Sequence, residues 1–232
     1  MVPLDESGGR EAEAAIPAAE RLRLIEVYTS IQGESTFAGL ACVFVRLAGC
    51  NLRCTWCDSV FTFTGGHHRS IDAVVAEVMA TGVGLVEITG GEPLVHRQVI
   101  PLMERLVAAG KTVLLETSGS RDISEVPPSV HIILDLKPPD SGEEAANRWE
   151  NVPLLRAKDE VKFVIASRRD YEWSRDVVRA QSLETRCTVL FSTAFGLVDA
   201  ADVVAWMLAD RVPARFQMQM HKQIWKPDER GV

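Results

Sequence analysis

The chain has 232 residues, 47% of them hydrophobic and 25% charged, with a formal net charge of −7. These values suit one compact α/β unit with a sizeable core and argue against binding to the phosphate backbone of nucleic acids, which needs clustered positive charge. No run of 18 apolar residues is present, so no transmembrane helix is expected.

The first 20 residues are acidic and Ala-rich, without the basic start and apolar stretch of a signal peptide. They are expected to form a disordered tail ahead of one domain over 21–232. A cytoplasmic location follows, where thiols stay reduced; five cysteines, an odd number, also disfavour a disulfide framework.

Short apolar runs then alternate with helical patterns. Strands are expected at 24–28, 42–47, 85–89, 112–116, 131–136, 161–165, 188–191 and 215–219. Runs such as "VHIILDL" are continuously apolar, as in strands buried on both faces. Helices are expected after Ser70, over 97–109 with Gly110 as terminator, and over 169–181 and 199–208. The longest loop is "KPPDSGEEAANRWENVPLL", 137–155, broken by Pro138, Pro139 and Gly142.

Strand–helix alternation of this kind predicts a parallel sheet. The length is short for eight full units, so the expectation is an incomplete TIM-like barrel, an open sheet with fewer helices than strands. Polar residues gather at the strands' carboxyl ends, where such folds place their active sites.

The stretch "LAGCNLRCTWCDS", 47–59, places Cys50, Cys54 and Cys57 in a turn past a buried strand. Three thiolates can hold a four-iron cluster and leave one iron open, and an open position separates a catalytic metal centre from a structural one. Spacing alone also permits a redox CxxC pair, a Cys3His zinc site with His67 or His68, or three buried small residues.

The cysteine triad followed by "TGGEP", 89–93, resembles the radical S-adenosylmethionine (SAM) superfamily. The resemblance implies that the cofactor's amino and carboxylate groups fill the vacant iron. It places Trp56, Gly91 and Glu92 at the cofactor, where glycines permit close approach and a carboxylate accepts from an ammonium.

Further segments narrow the resemblance: "SIQGES" (30–35), "FVRLAGC", "CDS", "ETSG", "DEVKFVI" and the terminal "QMQMHKQIWKPDERGV". Together they resemble the 7-carboxy-7-deazaguanine synthase family over about 24–232. That family converts 6-carboxy-5,6,7,8-tetrahydropterin to 7-carboxy-7-deazaguanine with loss of ammonia, on the route to queuosine and other deazapurines.

The resemblance implies a substrate-binding set of Ile31, Gln32, Gly33, Arg46, Thr89, His221 and the terminal carboxylate of Val232. It adds Asp135, Lys137 and Ser192 to the cofactor set, although many relatives have Ser-Pro-Lys where this chain has Asp135-Leu136-Lys137, and Pro where it has Thr193. Ser59 takes the place of a magnesium ligand that is commonly Thr. The implied cofactors are a [4Fe-4S] cluster, SAM and Mg2+. The implied partners are the pterin, an electron donor such as flavodoxin, and a second copy of the chain in a homodimer.

Read by residue chemistry, Gln32 could serve a pterin edge or a turn. Arg46, near the end of a buried strand, needs a substrate carboxylate or an internal Asp or Glu. Asp58 and Glu116 have no assigned role. Cys42 and Cys187 read as core, and Trp149, Trp173 and Trp206 as packing residues. His67 and His68 are expected in an exposed turn. A glycyl-radical activating enzyme, which targets a protein, shares the cysteine spacing and stands as the competing enzyme class.

Overall fold

The computed structural model describes residues 16–227 and 229–232. The expected tail over 1–15 lies outside the described residues. Ala18–Glu20 forms a 3-10 turn, and Ala18 O accepts from Gln98 Nε2 at 2.9 Å.

The strands are β1 (Arg21–Ile31), β2 (Ala41–Leu47), β3 (His67–Ser70), β4 (Leu85–Gly90), β5 (Thr112–Thr117), β6 (His131–Leu136), β7 (Glu160–Ile165), β8 (Thr188–Thr193) and β9 (Arg215–Phe216). The helices are α1 (Ile71–Ala80), α2 (Val99–Ala108), α3 (Arg168–Gln181), α4 (Ala200–Asp210) and α5 (His221–Ile224). They form one open sheet ordered β3-β1-β2-β4-β5-β6-β7-β8-β9. Strand pairing does not close it, so the fold is a partial barrel.

The expectation of a parallel sheet holds from β2 to β9, which pair in parallel throughout. It fails at one edge, where β1 runs antiparallel to both β2 and β3. Only residues 32–40 separate β1 from β2, too few for a crossover, so the two make a hairpin. β3 was expected as a turn. Instead His67 and His68 sit opposite Leu24 and Arg23 in an edge strand.

Helices are fewer than strands because two crossovers lack them. Residues 118–130 join β5 to β6 as irregular chain, and only 3-10 turns join β6 to β7. Where helices occur, local signals set them. Ser70 Oγ accepts from Ala73 N at 3.2 Å to start α1, and the Ser167 side chain accepts from Asp170 N to start α3.

The sheet has two unequal cores. Its outer face carries Val45, Ile88, Leu115, Leu134, Phe163 and Phe191, packed against Val74, Leu102, Met103, Tyr171 and Val203 of the helices. Its inner face carries a small plug of Cys42, Phe44, Leu85, Leu114 and Ile133, with Tyr28 and Phe37. The strands therefore read as nearly all apolar low in the sheet. Towards their carboxyl ends the inner face turns polar, with Arg46, Thr89, Glu116, Asp135 and Lys162. Cys42 and Cys187 are buried, as expected. Trp173 and Trp206 pack on the outer core, and Trp149 sits beside Trp173 with ring centroids 6.2 Å apart.

Candidate active site

A cavity of about 360 Å3 opens above the inner plug, at the size small-molecule sites require. Two segments close the side that the open sheet leaves. The first is the β1–β2 loop. Its Glu34 accepts from Lys162 Nζ of β7 at 2.8 Å and from Gln219 Nε2 at 2.9 Å. Ser35 N donates to Gln217 Oε1 at 2.8 Å, and Thr36 N donates to Glu160 of β7. The second is the C-terminal chain, where Met220 N donates to Gly33 O at 2.9 Å. Residues 229–232 line the cavity, and Arg230 lies over the Phe61 ring at 3.9 Å.

Most of the expected site residues meet at this cavity. Ile31, Gln32, Gly33, Arg46, Thr89, His221 and Val232 line it, as do Cys50, Cys54, Trp56, Cys57, Ser59, Gly91, Asp135 and Lys137. The glycines have specific reasons. A Cβ on Gly91 would lie 2.3 Å from Gly49 O and 2.7 Å from Cys50 Cβ, so the GGE turn can press on the cysteine loop only without a side chain.

Glu92 does not line the cavity. It is fully buried and accepts from Thr117 Oγ1 at 2.8 Å, Ser118 N at 2.8 Å, Ser118 Oγ at 2.5 Å and Leu94 N at 3.0 Å. Its carboxylate braces the β4 turn against the end of β5, and the chain's own donors take the place expected for an ammonium. Ser192 does not line it either. It is 1% exposed with its Oγ unpartnered, while Val164, its partner on β7, and Ala194 form the wall there.

Two other side chains are more committed than expected. Gln32 is 3% exposed; its Oε1 accepts from Glu34 N at 3.1 Å and its Nε2 donates to Glu87. This is the turn role. Arg46 has an internal partner: its Nε donates to Glu26 at 2.9 Å and its Nη2 to the Tyr28 hydroxyl at 2.8 Å.

The cysteine loop brings three thiols to the rim of the cavity. All five cysteines are free, and Cys50, Cys54 and Cys57 are half-buried. Among the described residues no three His, Cys, Asp or Glu side chains converge on one metal position. His67 and His68 belong to the β3 edge. Burial pushes the Cys54 thiol up to about 11, with Lys137 acting against it, so metal loading must displace protons.

Asp58, without a role in the sequence, pairs with Lys222 of α5 at 2.8 Å and accepts from Ser59 Oγ at 3.0 Å. It ties the cysteine loop to the C-terminal chain. Burial raises its carboxyl, but Lys222 outweighs this and lowers it to about 2. Burial keeps His221 below the ordinary imidazole range, with Glu34 opposing, so the ring is neutral at neutral pH.

The cavity floor also holds Lys162, Glu34 and Glu87, none of which the sequence marks as a site residue. Lys162, 4% exposed, touches Glu34, Glu116 and, at 3.8 Å, Asp135. Burial opposes its charge, yet these carboxylates hold its ammonium well above the usual range. Burial opposes ionisation of Glu34 as well, and Lys162 overrides it. Glu87 lies beside them in β4. Glu87 and Lys162 were visible in the sequence as charges inside apolar strands, "LVEITG" and "EVKFVI".

Residues 45–180 match the radical SAM superfamily, more than half of the chain. A 7-carboxy-7-deazaguanine synthase of Koribacter versatilis is 48% identical over 227 residues, covering 91% of this chain and 100% of that relative. One from Chlorobaculum tepidum is 40% identical, covering 91% and 97%. The crystal structure of QueE from Escherichia coli superposes with a TM-score of 0.70 at 22% identity, covering 87% of this chain and 95% of that one. Streptococcus suis SuiB bound to S-adenosylmethionine reaches 0.54 at 14% identity, over 73% and 44%. Both structures share the fold. With its cysteine triad on the rim of this cavity and relatives at 48% and 40% identity over nearly their whole length, the chain belongs to the 7-carboxy-7-deazaguanine synthase family of the radical SAM superfamily.

Proposed function

We propose that this enzyme converts 6-carboxy-5,6,7,8-tetrahydropterin to 7-carboxy-7-deazaguanine with loss of ammonia, for queuosine and other 7-deazapurines. The observation that carries the reading is the cavity itself, with three thiols and no fourth on its rim and a floor of fixed polar groups. Its walls are the chain's own hairpin and C-terminus, which suits a small molecule better than the protein segment a glycyl-radical activating enzyme must admit.

Cys50, Cys54 and Cys57 would hold the cluster, with Gly91, Trp56, Asp135 and Lys137 beside the cofactor. When bound, the cluster and SAM would supply the one-electron radical chemistry that activates a substrate C–H bond. The protein contributes orientation and exclusion of water. Arg46 Nη1, which neither Glu26 nor Tyr28 holds, is offered to the substrate carboxylate. Thr89 and neutral His221 supply hydrogen bonds, and the Val232 carboxylate faces the guanidine-like edge. Ser59 and substrate oxygens would give Mg2+ a weak, water-rich site.

We infer one catalytic domain over 21–232, a cytoplasmic location in keeping with five free thiols, flavodoxin as electron donor, and a homodimer. No helix among the described residues is long and apolar enough to cross a membrane. The test is an anaerobic assay of cluster-loaded enzyme with SAM, reductant and the pterin, with product identified by mass and ultraviolet spectrum. Zinc in place of iron and sulfide in oxygen-free preparations, or absence of the deazaguanine product, overturns the reading.

A further inference from the structure

Glu87 stands at the centre of β4 between buried Val86 and Ile88, is 3% exposed, and lines the cavity. A carboxyl in that position is costly unless it is paired. The chain supplies a single hydrogen-bond donor: Gln32 Nε2 reaches Oε2, and among the described residues no donor is found at Oε1. Gln32 is fixed in turn, because its Oε1 accepts from Glu34 N. The amide that seemed free to read a ligand is therefore spent on orienting a carboxyl.

The surroundings decide the state of that carboxyl. On its own strand and below it lie the apolar plug residues Leu85, Phe44, Leu114 and Cys42. The charged groups of the floor are Glu116 on β5, Asp135 on β6 with its partner Lys137, Glu34 on the hairpin loop and Lys162 on β7, and Lys162 already touches all three of those carboxylates. The Tyr28 hydroxyl, on β1, accepts from Arg46 Nη2, and among the described residues no bond from it to Glu87 is found. Four carboxyls, Glu34, Glu87, Glu116 and Asp135, share the ammoniums of Lys162 and Lys137, and the most deeply buried of the four is the least able to ionise. Burial, followed by the charge of Glu116, raises the Glu87 carboxyl well above the usual range, with Lys162 opposing.

We propose that Glu87 reads the substrate as a neutral carboxylic acid, donating Oε1–H to a lone pair on the pyrimidinone ring while Gln32 locks its rotamer through Oε2. The acceptor is the ring's carbonyl oxygen or its imine-type nitrogen. The inference deepens the substrate assignment above and rests on it. It also accounts for Gln32: a neutral acid needs one oxygen held as acceptor so that the other presents its proton in a fixed direction.

The test uses cluster-loaded enzyme and its Glu87→Gln and Glu87→Leu variants. The infrared spectrum of the resting wild type at neutral pH shows a carboxylic-acid C=O band, absent from both variants, that shifts when the pterin is added. Glu87→Gln keeps a donor and an acceptor and raises KM by less than about tenfold, whereas Glu87→Leu keeps only shape and raises it about tenfold to a hundredfold. In both, kcat changes less than KM. An unshifted KM in a folded Glu87→Leu enzyme overturns the proposal. So does a Glu87→Gln variant as impaired as Glu87→Leu, since that result marks an ionised carboxylate. If the variants fail to fold, the wild-type band decides alone, and its absence or indifference to the pterin overturns the proposal. Wild type that makes no product overturns the substrate assignment instead, and the band shift with added pterin then tests Glu87 separately.

Discussion

A missing methyl group positions His221. A Cβ on Gly33 would fall 2.4 Å from His221 Nδ1, so the ring occupies space that no other residue at 33 would leave. Gly33→Ala is expected to displace the imidazole and lower kcat/KM about a hundredfold, with the thermal midpoint nearly unchanged. Steady-state kinetics beside a melting curve separate the two. Glu87 makes a second prediction at this scale. An acid whose folded pKa lies above its unfolded value takes up a proton on folding, so stability falls as pH rises through that window, by up to about 1.4 kcal/mol per unit. Glu87→Gln removes that slope. In urea unfolding the variant should gain on wild type from pH 5 to pH 8, and an identical slope would show Glu87 ionised in the folded protein.

Among the elements, β7 and the β1–β2 loop depend on each other through Lys162. Without the ammonium, Glu34 and Glu116 are left as partly buried like charges beside a buried stem. Lys162→Met should cost about 3–5 kcal/mol in denaturant unfolding and release the loop, read as faster amide exchange over residues 32–37. Ser35, a non-glycine residue at φ 63° within that loop, is held in an unfavourable conformation by its bond to Gln217, in keeping with a loop built for the site. Strand identity was largely legible, because apolar runs flanked by turn residues mark buried strands at any pairing. Edge strand β3 was not, since "HHRS" has no apolar signal and forms a strand only by pairing with β1. The antiparallel direction of β1 was readable only from the shortness of the loop after it.

The whole molecule is an open sheet that finishes its cavity with non-strand chain. Removing residues 227–232 takes away the wall built by Arg230, Gly231 and Val232. Such a truncation should raise the KM for the pterin while iron and sulfide loading remain at wild-type level, since the cysteine loop is untouched. Cys54→Ser should do the reverse, abolishing iron and sulfide loading while far-ultraviolet dichroism stays unchanged. A truncated enzyme with normal KM would show that the C-terminal wall does not meet substrate.

The cysteine triad, the glycine turn, the strand–helix order and the family could all be read from the chain's letters, because these depend on short spacings and on residue types with narrow chemistry. How each polar side chain is used emerged only from the folded arrangement. Glu92 turned out to brace β5, Gln32 to orient Glu87, Arg46 to pair with Glu26, and Asp58 to tie the cysteine loop to Lys222. The physical reason is that a buried polar group takes whichever partner the fold brings within about 3 Å, and those partners lie 20 to 164 residues away in sequence.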